Sequence, residues 1–486
     1  VPSLARLFHL KEAQEIANKK SMSSQEVVQV EEEKRKNLNI VFIGHVDAGK
    51  STISGHLVSD LGKLDKRQLE KLEQQAKALN RESWKYAFAM DTSEEEREKG
   101  KTVECARESF LTPNGRRITI IDAPGHKGFV HNMISGAAQA DTAILVISAR
   151  KGEFESGFER GGQTSEHALL AYVNGIKQIV CLINKMDDIT VEYCKKRYDS
   201  IVSQLKLYLE NVGYASKNIF FLPISGFTGE NLISTKELNP KLSEWYSGPS
   251  FLDLLDELKV PKRDTKSPLC ACVSGHYKEN SAFIVVKVEQ GKMSIGDTVL
   301  CLPENKAFDI LDIEGEQEEG SKLVQAKAGD NVRIKVKDDI WEFLTEGSVI
   351  CAQPSPGQSP SVSVTNRFQA NLLIVSTAEN LVITSGYSCV AHINLQQVGC
   401  QIRAILADLD LKTGKVKPEY IVSTEPLKVR RPTHVLSKAR IICEIITQKP
   451  VCVQSYAGHE ALGRIILRHE SDTVAIGYIV SVKPAK

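Results

Sequence analysis

The sequence predicts an α/β P-loop domain with a doubly wound, mostly parallel sheet, followed by two β-barrel domains. Three observations predict this order: apolar runs alternating with helical stretches, a linker rich in proline and charge at 259–268, and only short β-type runs beyond it. Strands that alternate with helices build right-handed βαβ units and therefore a parallel sheet. The 486 residues are enough for about three domains.

Residues 1–36 combine a short amphipathic stretch with a mixed-charge run, which predicts an N-terminal helical or linker segment. Residues 37–258 form the first domain, in which five apolar runs are short enough for buried parallel strands: 40–43, 118–121, 143–147, 179–183 and 219–222. Residues 65–101 are charged and helical in pattern, and they are too long for a simple crossover, so we expect a partly mobile element.

Beyond the first linker the helical periodicity disappears. We assign residues 262–353 to β-barrel domain 2 and residues 359–486 to β-barrel domain 3, with three prolines between 354 and 360 marking a second linker. The predicted strands are 269–273, 282–288, 298–300, 331–336, 369–375, 388–393, 439–446 and 473–482. Many short strands at close spacing predict a sandwich or a barrel.

Composition excludes several classes of protein. Lys and Arg total 62 against 61 Asp and Glu, so the net charge of +1 disfavours coating of nucleic acid, and DNA is not an expected partner. Eleven cysteines without a C-x-x-C pair indicate reduced thiols in a cytoplasmic protein. No run of about 18 apolar residues suggests a membrane span, and nothing in the sequence demands a dimer, so we expect a monomer.

The strongest local pattern is G-x-x-x-x-G-K-[ST], which directly follows the first predicted strand. It comprises Gly44, His45, Val46, Asp47, Ala48, Gly49, Lys50 and Ser51. The backbone N–H groups of such a loop, with the positive end of the following helix, hold phosphates. We expect Lys50 to reach the β- and γ-phosphates and Ser51 to ligate Mg²⁺, and we assign Thr52 to the same nucleotide site.

A second string selects the base. Asn184, Lys185 and Asp187 form N-K-x-D after the fourth apolar run, where the ligand pocket of an open α/β sheet belongs. The Asp187 carboxylate can accept two hydrogen bonds from the N1–H and N2 amino groups of guanine, which adenine cannot supply. Ser225 and Gly226, after the last strand, are expected to offer a backbone N–H to guanine O6. Together with a phosphate loop, this string favours GTP and GDP as ligands.

A third string, D-A-P-G-H, follows the second predicted strand and concerns hydrolysis. Asp122 can hold Mg²⁺ through a water, and the Gly125 N–H can sense the γ-phosphate. His126 is the candidate for positioning the attacking water. Thr102 is expected to contact Mg²⁺ only when the triphosphate is bound, which would make its segment a switch. No arginine finger can be assigned, so hydrolysis is expected to need an external activator.

These strings carry a resemblance. G-H-V-D-A-G-K-S from Gly44 and D-A-P-G-H from Asp122, with two β domains behind them, resemble the translational GTPases of the elongation factor one-alpha type. Within that group, the strings at 100–104, 148–155 and 184–188 resemble the eukaryotic class II release factors. G-R-I-I-L-R at 463–468 and A-I-G at 475–477 are similar to the last domain of that family.

The resemblance implies GTP-dependent cooperation with the class I release factor on a ribosome halted at a stop codon, with hydrolysis stimulated by the ribosome. It also implies that the third domain is the main docking surface for that partner. Gly463, Arg464, Leu467 and Arg468 lie in the associated motif. The alternative interpretation is that this strand only completes the barrel, because a shared fold does not transfer a site.

Three positions depart from the family pattern. Elongation factors form an apolar gate near the catalytic histidine from the P-loop valine and an isoleucine before the switch threonine. Here Val46 is kept, but Lys101 takes the other place. Val286 stands where domain 2 usually has a glycine, and His469 stands where release factors usually have an aspartate.

Three other functions remain open at this point. The nearest is an Hbs-type ribosome-rescue GTPase, which delivers Pelota on the same architecture. Transfer-RNA delivery would call for a more basic surface than a net charge of +1 indicates. A GTP-regulated scaffold that hydrolyses nothing would keep Lys50, Thr102 and Asp187 but would not need His126.

Overall fold

The computed structural model describes residues 37–61, 66–78, 84–90, 96, 102, 105–158, 162–236, 238–278, 281–315, 322–355, 357–375, 381–424, 427–470 and 472–483. The predicted N-terminal segment 1–36 and Lys101 lie outside these residues, as do parts of the charged segment 65–101. None of the helices in the described ranges is long and apolar enough to cross a membrane.

The first domain contains one six-stranded sheet. Its strands are β1 (Leu38–Gly44), β2 (Ala106–Leu111), β3 (Arg117–Asp122), β4 (Thr142–Ser148), β5 (Gln178–Asn184) and β6 (Ile219–Pro223). They lie in the order β2-β3-β1-β4-β5-β6, and each neighbouring pair is parallel except β2 with β3. The five predicted strands are confirmed. β2 was missed because this half-buried edge strand lacks the continuous apolar run of a central parallel strand.

Nine helices among the described residues accompany this sheet. They are α1 (Lys50–Asp60), α2 (Lys66–Ala78), α3 (Ala87–Met90), α4 (Val130–Gln139), α5 (Glu153–Phe158), α6 (Gln163–Val173), α7 (Lys195–Val212), α8 (Pro240–Ser243) and α9 (Phe251–Glu257). Val41 and Ile43 of β1 pack on one face with α4, α6 and α7, whereas Ile40 and Phe42 pack on the other face with α1 and α9. Because successive side chains of a strand point to opposite faces, both faces must be covered, as a doubly wound fold requires.

The second domain is antiparallel. Its elements are β7 (Cys270–Lys278), β8 (Ala282–Gln290), β9 (Lys292–Ser294), β10 (Thr298–Leu302), β11 (Lys306–Asp309), β12 (Asp312–Gly315), β13 (Gln325–Lys327), β14 (Asn331–Val336), α10 (Asp338–Trp341) and β15 (Val349–Ala352). Seven strands pair in the order β11-β10-β15-β7-β8-β14-β12, and β9 pairs with β13. Alternate strand residues such as Ile284, Val286 and Val288 meet in one apolar core.

The third domain is a closed barrel of six strands in the order β16-β23-β19-β18-β24-β25, which confirms the predicted barrel. Its elements are β16 (Ser363–Ile374), β17 (Val382–Thr384), β18 (Ser388–Ile393), β19 (Gln396–Leu409), β20 (Ile421–Thr424), β21 (Leu427–Val429), β22 (His434–Leu436), β23 (Arg440–Val453), α11 (Glu460–Gly463), β24 (Arg464–His469) and β25 (Asp472–Val482). A closed barrel leaves no free sheet edge.

Specific contacts join the three domains. Arg263, in the first linker, donates to the Asp141 carboxylate at 2.6 Å, and Lys287 of β8 donates to the Ala138 carbonyl at 3.0 Å. Ile466 and Ile476 of the barrel pack into a core cluster of the first domain. At one barrel end, Cys452 joins an apolar cluster that also contains cysteines and leucines of domain 2. The first domain is therefore held by both β domains.

Candidate functional site

The phosphate loop lies between β1 and α1, at the carboxyl end of the central strand. Gly44, Asp47 and Gly49 have positive φ angles of 140°, 59° and 97°. At Gly49 a Cβ atom would lie 2.3 Å from the Asn184 side-chain nitrogen, so only glycine fits this position. The loop turns directly into α1, whose first N–H groups are free to bind an anion.

Lys50 is held inside this loop. Its side chain is 6% exposed, and its ammonium donates to the carbonyls of Gly44 at 3.4 Å and His45 at 3.0 Å. Burial lowers the pKa of Lys50, while the nearby Asp122 carboxylate opposes that shift. A Cβ at Gly125 would lie 2.4 Å from the ammonium, so the D-A-P-G-H loop passes directly against Lys50. Lys50 and Gly125 therefore lie side by side, and their contacts with the γ-phosphate stay predictions.

Three oxygen-bearing side chains meet beside the loop. The hydroxyls of Ser51 and Thr102 lie 3.1 Å apart. Asp122 is 0% exposed, and among the described residues neither of its carboxylate oxygens has a hydrogen-bond partner. Burial raises the pKa of Asp122 to about 6, although the Ser51 hydroxyl and Lys50 favour its charged form. Such orphaned acceptors with two hydroxyls fit a hard cation such as Mg²⁺.

In the string predicted to select guanine, the Asn184 side chain forms hydrogen bonds with two loops. Its amide donates to the Ala48 carbonyl at 2.8 Å and accepts from the Gly226 N–H at 2.8 Å. The Ser225 N–H donates to the Glu230 carbonyl at 3.2 Å. Both candidate N–H groups for guanine O6 are thus bonded within the protein, because the turn after β6 closes on itself and on Asn184. A backbone hydrogen bond from this turn to guanine O6 stays a prediction.

Lys185 is oriented by a charged network that sequence analysis missed. Its ammonium donates to Glu153 at 2.7 Å, and Ser148 donates to the same carboxylate at 2.6 Å. Arg150 lies between Glu153, at 3.2 Å, and Asp188, to which it also donates. The network therefore supports residues on both sides of Asp187. The string around Arg150 does not show which acids lie near it, so this network could not be found from sequence.

An open cavity of about 520 Å³ brings most of the predicted residues together. The predicted residues that line it are Val46, Asp47, Gly49, Lys50, Ser51, Thr52, Thr102, Gly125, His126, Asn184, Lys185 and Asp187. The predicted nucleotide-site residues that do not line it are Gly44, His45, Ala48, Asp122, Ser225 and Gly226. Trp84, Ala87 and Phe227 line the cavity without having been predicted, and Phe227 is 53% exposed.

His126 lies at the exposed rim of this cavity. Its Nδ1 accepts the Gly128 N–H at 3.1 Å, and its ring lies 5.8 Å from the Phe129 ring. A neutral imidazole that accepts at Nδ1 carries its proton on Nε2, which leaves that nitrogen as a donor. Val46, half-buried, lines the same cavity. The ring therefore has one nitrogen committed to its own turn and one available for a ligand or a water.

His167 on α6 supports the phosphate loop from behind. It is 0% exposed, and its Nδ1 accepts the Gly44 N–H at 3.2 Å. Burial lowers the pKa of His167 to about 3, and the Lys50 charge acts in the same direction. A single histidine 123 residues from its partner carries no sequence signal, so this residue could not have been found by pattern.

The predicted partner-binding motif is placed inside the molecule. Leu467 is 0% exposed in the barrel core, and a Cβ at Gly463 would lie 2.4 Å from the Tyr456 Cα atom. Arg464 donates to the Asn174 carbonyl at 3.2 Å and to Glu460 at 2.6 Å.

Arg468, only 5% exposed, donates to Glu166 and Thr473, each at 3.2 Å. In this arrangement the motif completes the barrel and ties it to the first domain. Contact of these residues with a partner stays a prediction, as does the alternative that the strand only completes the barrel.

Two departures from the family pattern have clear positions. Val286 is buried in the apolar core of domain 2, opposite Val273 and Val332 on the two neighbouring strands. His469 is exposed at the end of β24, with its ring 5.6 Å from the ring of Tyr387. Val286 is therefore a core residue, and His469 lies on the surface.

The phosphate loop, the guanine-selective string and the two β domains define a GTP-binding protein of the translational GTPase class. Residues 35–261 match the family described as the elongation factor Tu GTP binding domain, and residues 367–480 match the GTP-eEF1A C-terminal domain-like family. Over most of its length, the chain is similar to eukaryotic peptide chain release factor GTP-binding subunits.

Two curated relatives of that name illustrate the similarity. The chain is 39% identical over 450 residues to the subunit of Schizosaccharomyces pombe, which covers 92% of this chain and 64% of the relative. It is 40% identical over 448 residues to the subunit of Kluyveromyces lactis, covering 92% of this chain and 61% of the relative. The chain thus spans between 61% and 64% of the length of these two relatives.

Two solved structures are also similar. A crystal structure of sup35 complexed with GDP is 33% identical, covering 92% of this chain and 95% of its own, but its TM-score of 0.39 supports nothing about domain arrangement. The GTPase-like domain of Saccharomyces cerevisiae Ski7, bound to GTP, is 18% identical with a TM-score of 0.70, covering 95% of this chain and 100% of its own. The second likeness concerns the fold alone.

Proposed function

We propose that this chain is the GTP-hydrolysing subunit of a translation termination complex. It binds GTP, cooperates with the class I release factor on a ribosome halted at a stop codon, and hydrolyses GTP when the ribosome stimulates it. The observation that carries this proposal is the 39% identity to a release factor GTP-binding subunit over 92% of the chain. The whole nucleotide site lies within residues 35–261, which match the elongation factor Tu GTP binding domain.

The geometry supports each binding role. The loop from Gly44 to Ser51 surrounds the phosphates with N–H groups, and the buried Lys50 ammonium exchanges its carbonyl contacts for phosphate oxygens. The Asp187 carboxylate at the cavity wall accepts hydrogen bonds from the guanine edge. Phe227 offers an exposed ring beside the base position, and GDP fits the same contacts without the γ-phosphate.

Mg²⁺ is the cation that this oxygen set suits. Ser51 and Thr102 would ligate it, and Asp122, whose buried oxygens have no partner among the described residues, would hold it through a water. When bound, the ion neutralises charge on the β- and γ-phosphate oxygens. Thr102 and Gly125 meet the γ-phosphate side of the cavity, so they are the groups that distinguish GTP from GDP.

Hydrolysis depends on His126. Its free nitrogen can hydrogen-bond the attacking water, while Nδ1 stays bound to the Gly128 N–H. Because the ring is exposed and its other contact is with Phe129, nothing in the described residues fixes it toward the phosphates. Slow hydrolysis in isolation and acceleration by an external surface follow from this freedom. Val46 supplies an apolar wall to the same position.

The partner and the setting complete the proposal. The class I release factor docks mainly on the third domain, and the ribosome contacts the protein through local patches, since the whole chain carries only +1. The protein acts in the cytoplasm as a monomer. An Hbs-type factor would place Pelota at the same docking position.

The test is a calorimetric GTP titration in the presence of Mg²⁺, performed with the chain alone, with the class I release factor and with Pelota. Binding at two coupled sites is reciprocal, so a partner that recognises the GTP state must tighten GTP binding. We expect tighter GTP binding only with the release factor. Tightening by Pelota alone would identify a rescue factor, and no tightening by either would remove both partners from the proposal.

A further inference from the structure

The distal end of the third domain is the barrel end at which β16 and β19 finish and β23 begins, marked by Ile374, Leu409 and Arg440. Residues 410–439 leave the barrel here and return to it as an excursion between β19 and β23. Among its described residues, backbone hydrogen bonds hold the chain, such as the Asp410 N–H to the Lys415 carbonyl and the Arg430 N–H to the Tyr420 carbonyl, each at 2.8 Å. The backbone at these residues therefore has a defined position.

This excursion carries an unusual share of positive charge. Residues 410–439 contain seven Lys or Arg and three Asp or Glu, an excess of four positive charges. The rest of the chain then has 55 basic and 58 acidic residues, an excess of three negative charges. The near-neutral total thus conceals one strongly basic region on a mildly acidic protein.

The cations of this region are available. Lys412, Lys415, Arg430, Arg431 and Lys438 are exposed, and within the described part of the chain none of the five forms a salt bridge. We call these five residues the basic surface. Cations that are fully exposed and unpaired keep their counterions, which a polyanion can displace.

The cations on the barrel wall are paired with a carboxylate. Arg367, Arg403 and Lys483 surround one buried carboxylate, Glu444, at distances of 2.7, 3.5 and 2.6 Å. These three contribute to the fold of the barrel and leave little charge for a ligand. Cations on the barrel wall are thus paired with a carboxylate, whereas the five cations of the basic surface form no salt bridge within the described residues.

The position of the surface also leaves it accessible. The opposite barrel end, where Ser363 pairs with Val453, faces domain 2 through the cluster around Cys452. The contacts of β24 with the first domain, through Arg464 and Arg468, are made by the barrel wall. Neither of the other two domains covers the excursion in the contacts that the described residues make.

We propose that the basic surface binds the phosphate backbone of double-helical RNA. Dispersed exposed cations recognise phosphates through charge and counterion release without reading bases. The two adjacent arginines, Arg430 and Arg431, add planar donors that suit phosphate oxygens. The choice of RNA over other polyanions rests on the proposed function, because a ribosome presents RNA helices. The surface itself lies apart from the GTP site.

The experiment measures anisotropy of a labelled RNA duplex of about 20 base pairs, titrated with the full chain from about 50 to 200 mM KCl. The variant carries Lys412→Glu, Lys415→Glu, Arg430→Glu and Arg431→Glu. We expect its affinity to fall by about 10–100-fold, with a salt slope smaller by about one for each lost phosphate contact. Unchanged affinity would overturn the proposal. Neither nucleotide nor release factor is present, so failure here is distinct from failure of the proposed function.

A matched control reverses four exposed lysines of the first domain: Lys195→Glu, Lys196→Glu, Lys206→Glu and Lys217→Glu. It has the same net charge as the distal variant, so equal weakening in both would show bulk electrostatics and overturn the proposal. Thermal unfolding checks that each variant folds. Should the distal reversal unfold the barrel, replacement of the same four residues by Gln removes the charge with less repulsion, and its expected loss is about 10-fold.

A competition assay separates RNA from an acidic protein as the ligand. Poly-glutamate and unlabelled RNA duplex are added at equal total charge to the complex of the chain with labelled RNA. We expect the duplex to displace the label at a concentration at least about 10-fold lower, because its phosphates are fixed on a rigid helix. Equal displacement by poly-glutamate would assign the basic surface to an acidic polypeptide and overturn the choice of RNA.

Discussion

The nucleotide cavity and strand β24 contain buried charges in opposite states. In the cavity, neither carboxylate oxygen of Asp122 has a partner among the described residues, and burial raises its pKa. On β24, Arg464 and Arg468 donate to a carbonyl, two carboxylates and a hydroxyl of their neighbours. A buried polar group without a partner is costly, so it indicates a missing ligand, whereas a satisfied one indicates a structural contact.

Two motifs that look equally specific as strings, D-A-P-G-H at Asp122 and the β24 motif, therefore differ in whether their buried charges have partners. The D-A-P-G-H string leaves both Asp122 carboxylate oxygens without a partner among the described residues and therefore acts on something outside the chain. The β24 motif satisfies its groups internally and therefore acts first on the arrangement of the domains. Changes in the cavity should alter ligands and leave folding intact, and changes at β24 should do the reverse.

The largest expected effect concerns His126. In His126→Ala, ribosome-stimulated GTP hydrolysis should fall by about 10²–10⁴-fold, because the group that positions the water is lost. GTP affinity should stay the same, since the ring is exposed and contributes little to the cavity wall. Single-turnover hydrolysis with ribosomes measures the change, and His276→Ala, an exposed histidine of domain 2, is the control. Unchanged turnover would favour a scaffold that hydrolyses nothing in its working cycle.

The next effect concerns the base. Asp187→Asn should weaken GTP by about 10²–10³-fold, because two hydrogen bonds to a charged acceptor are lost or inverted. Xanthosine triphosphate should gain affinity in the same variant. Competition against a fluorescent GDP measures both, with Asp199→Asn, an exposed carboxylate of α7, as the control. If GTP affinity does not move, the guanine pocket has been assigned to the wrong loop.

On the other side of the comparison, Glu166→Gln should reduce the free energy of unfolding by about 2–4 kcal/mol, because it leaves the buried Arg468 without its carboxylate. Denaturant unfolding measures this change, and Glu244→Gln, an exposed carboxylate, is the control. Adding Arg468→Met to Glu166→Gln should recover part of the loss. If Glu166→Gln is as stable as the parent but no longer binds the class I release factor, Arg468 belongs to the partner interface.

The smallest effect is a pH dependence. His167 stays neutral in the folded protein because burial lowers its pKa to about 3, whereas the unfolded chain protonates it near its ordinary value of 6.5. The unfolded state thus binds the extra proton, so stability falls as the pH drops below about 6.5, by at most about 1.4 kcal/mol per pH unit.

Between about pH 7 and 5, His167→Asn should therefore show a shallower loss of stability than the parent. Asparagine keeps an acceptor for the Gly44 N–H near the position of Nδ1. His434→Asn, an exposed histidine, should leave the slope as it is in the parent. Equal slopes in all three proteins would show that His167 titrates normally.

Sequence alone located the parts of the site that depend on residue type and local backbone. Gly44 and Gly49 are glycines because their φ angles are positive, and this requirement is visible as a pattern. The five central strands were visible as continuous apolar runs, since both faces of the sheet are covered. Their positions placed the strings at the carboxyl ends of β1, β3 and β5.

Sequence could not locate what depends on distant neighbours. His167 meets Gly44 across 123 positions, and the bond of Asn184 with Ala48 spans 136. The burial of Leu467 follows from closure of the barrel, which no local string encodes. The resemblance predicted a partner contact at β24 from the residue types of the motif. How exposed those residues are depends on how the domains assemble, which the motif does not encode.

Asn184 has a kinetic consequence. A single amide joins the loop that holds the phosphates to the loop beside the base, through one bond in each direction. Movement of either loop therefore displaces the other, so the phosphate end and the base end of the nucleotide are not released independently. Exchange of GDP for GTP should accordingly follow a single exponential, and a factor that loosens one loop would speed departure of the whole nucleotide.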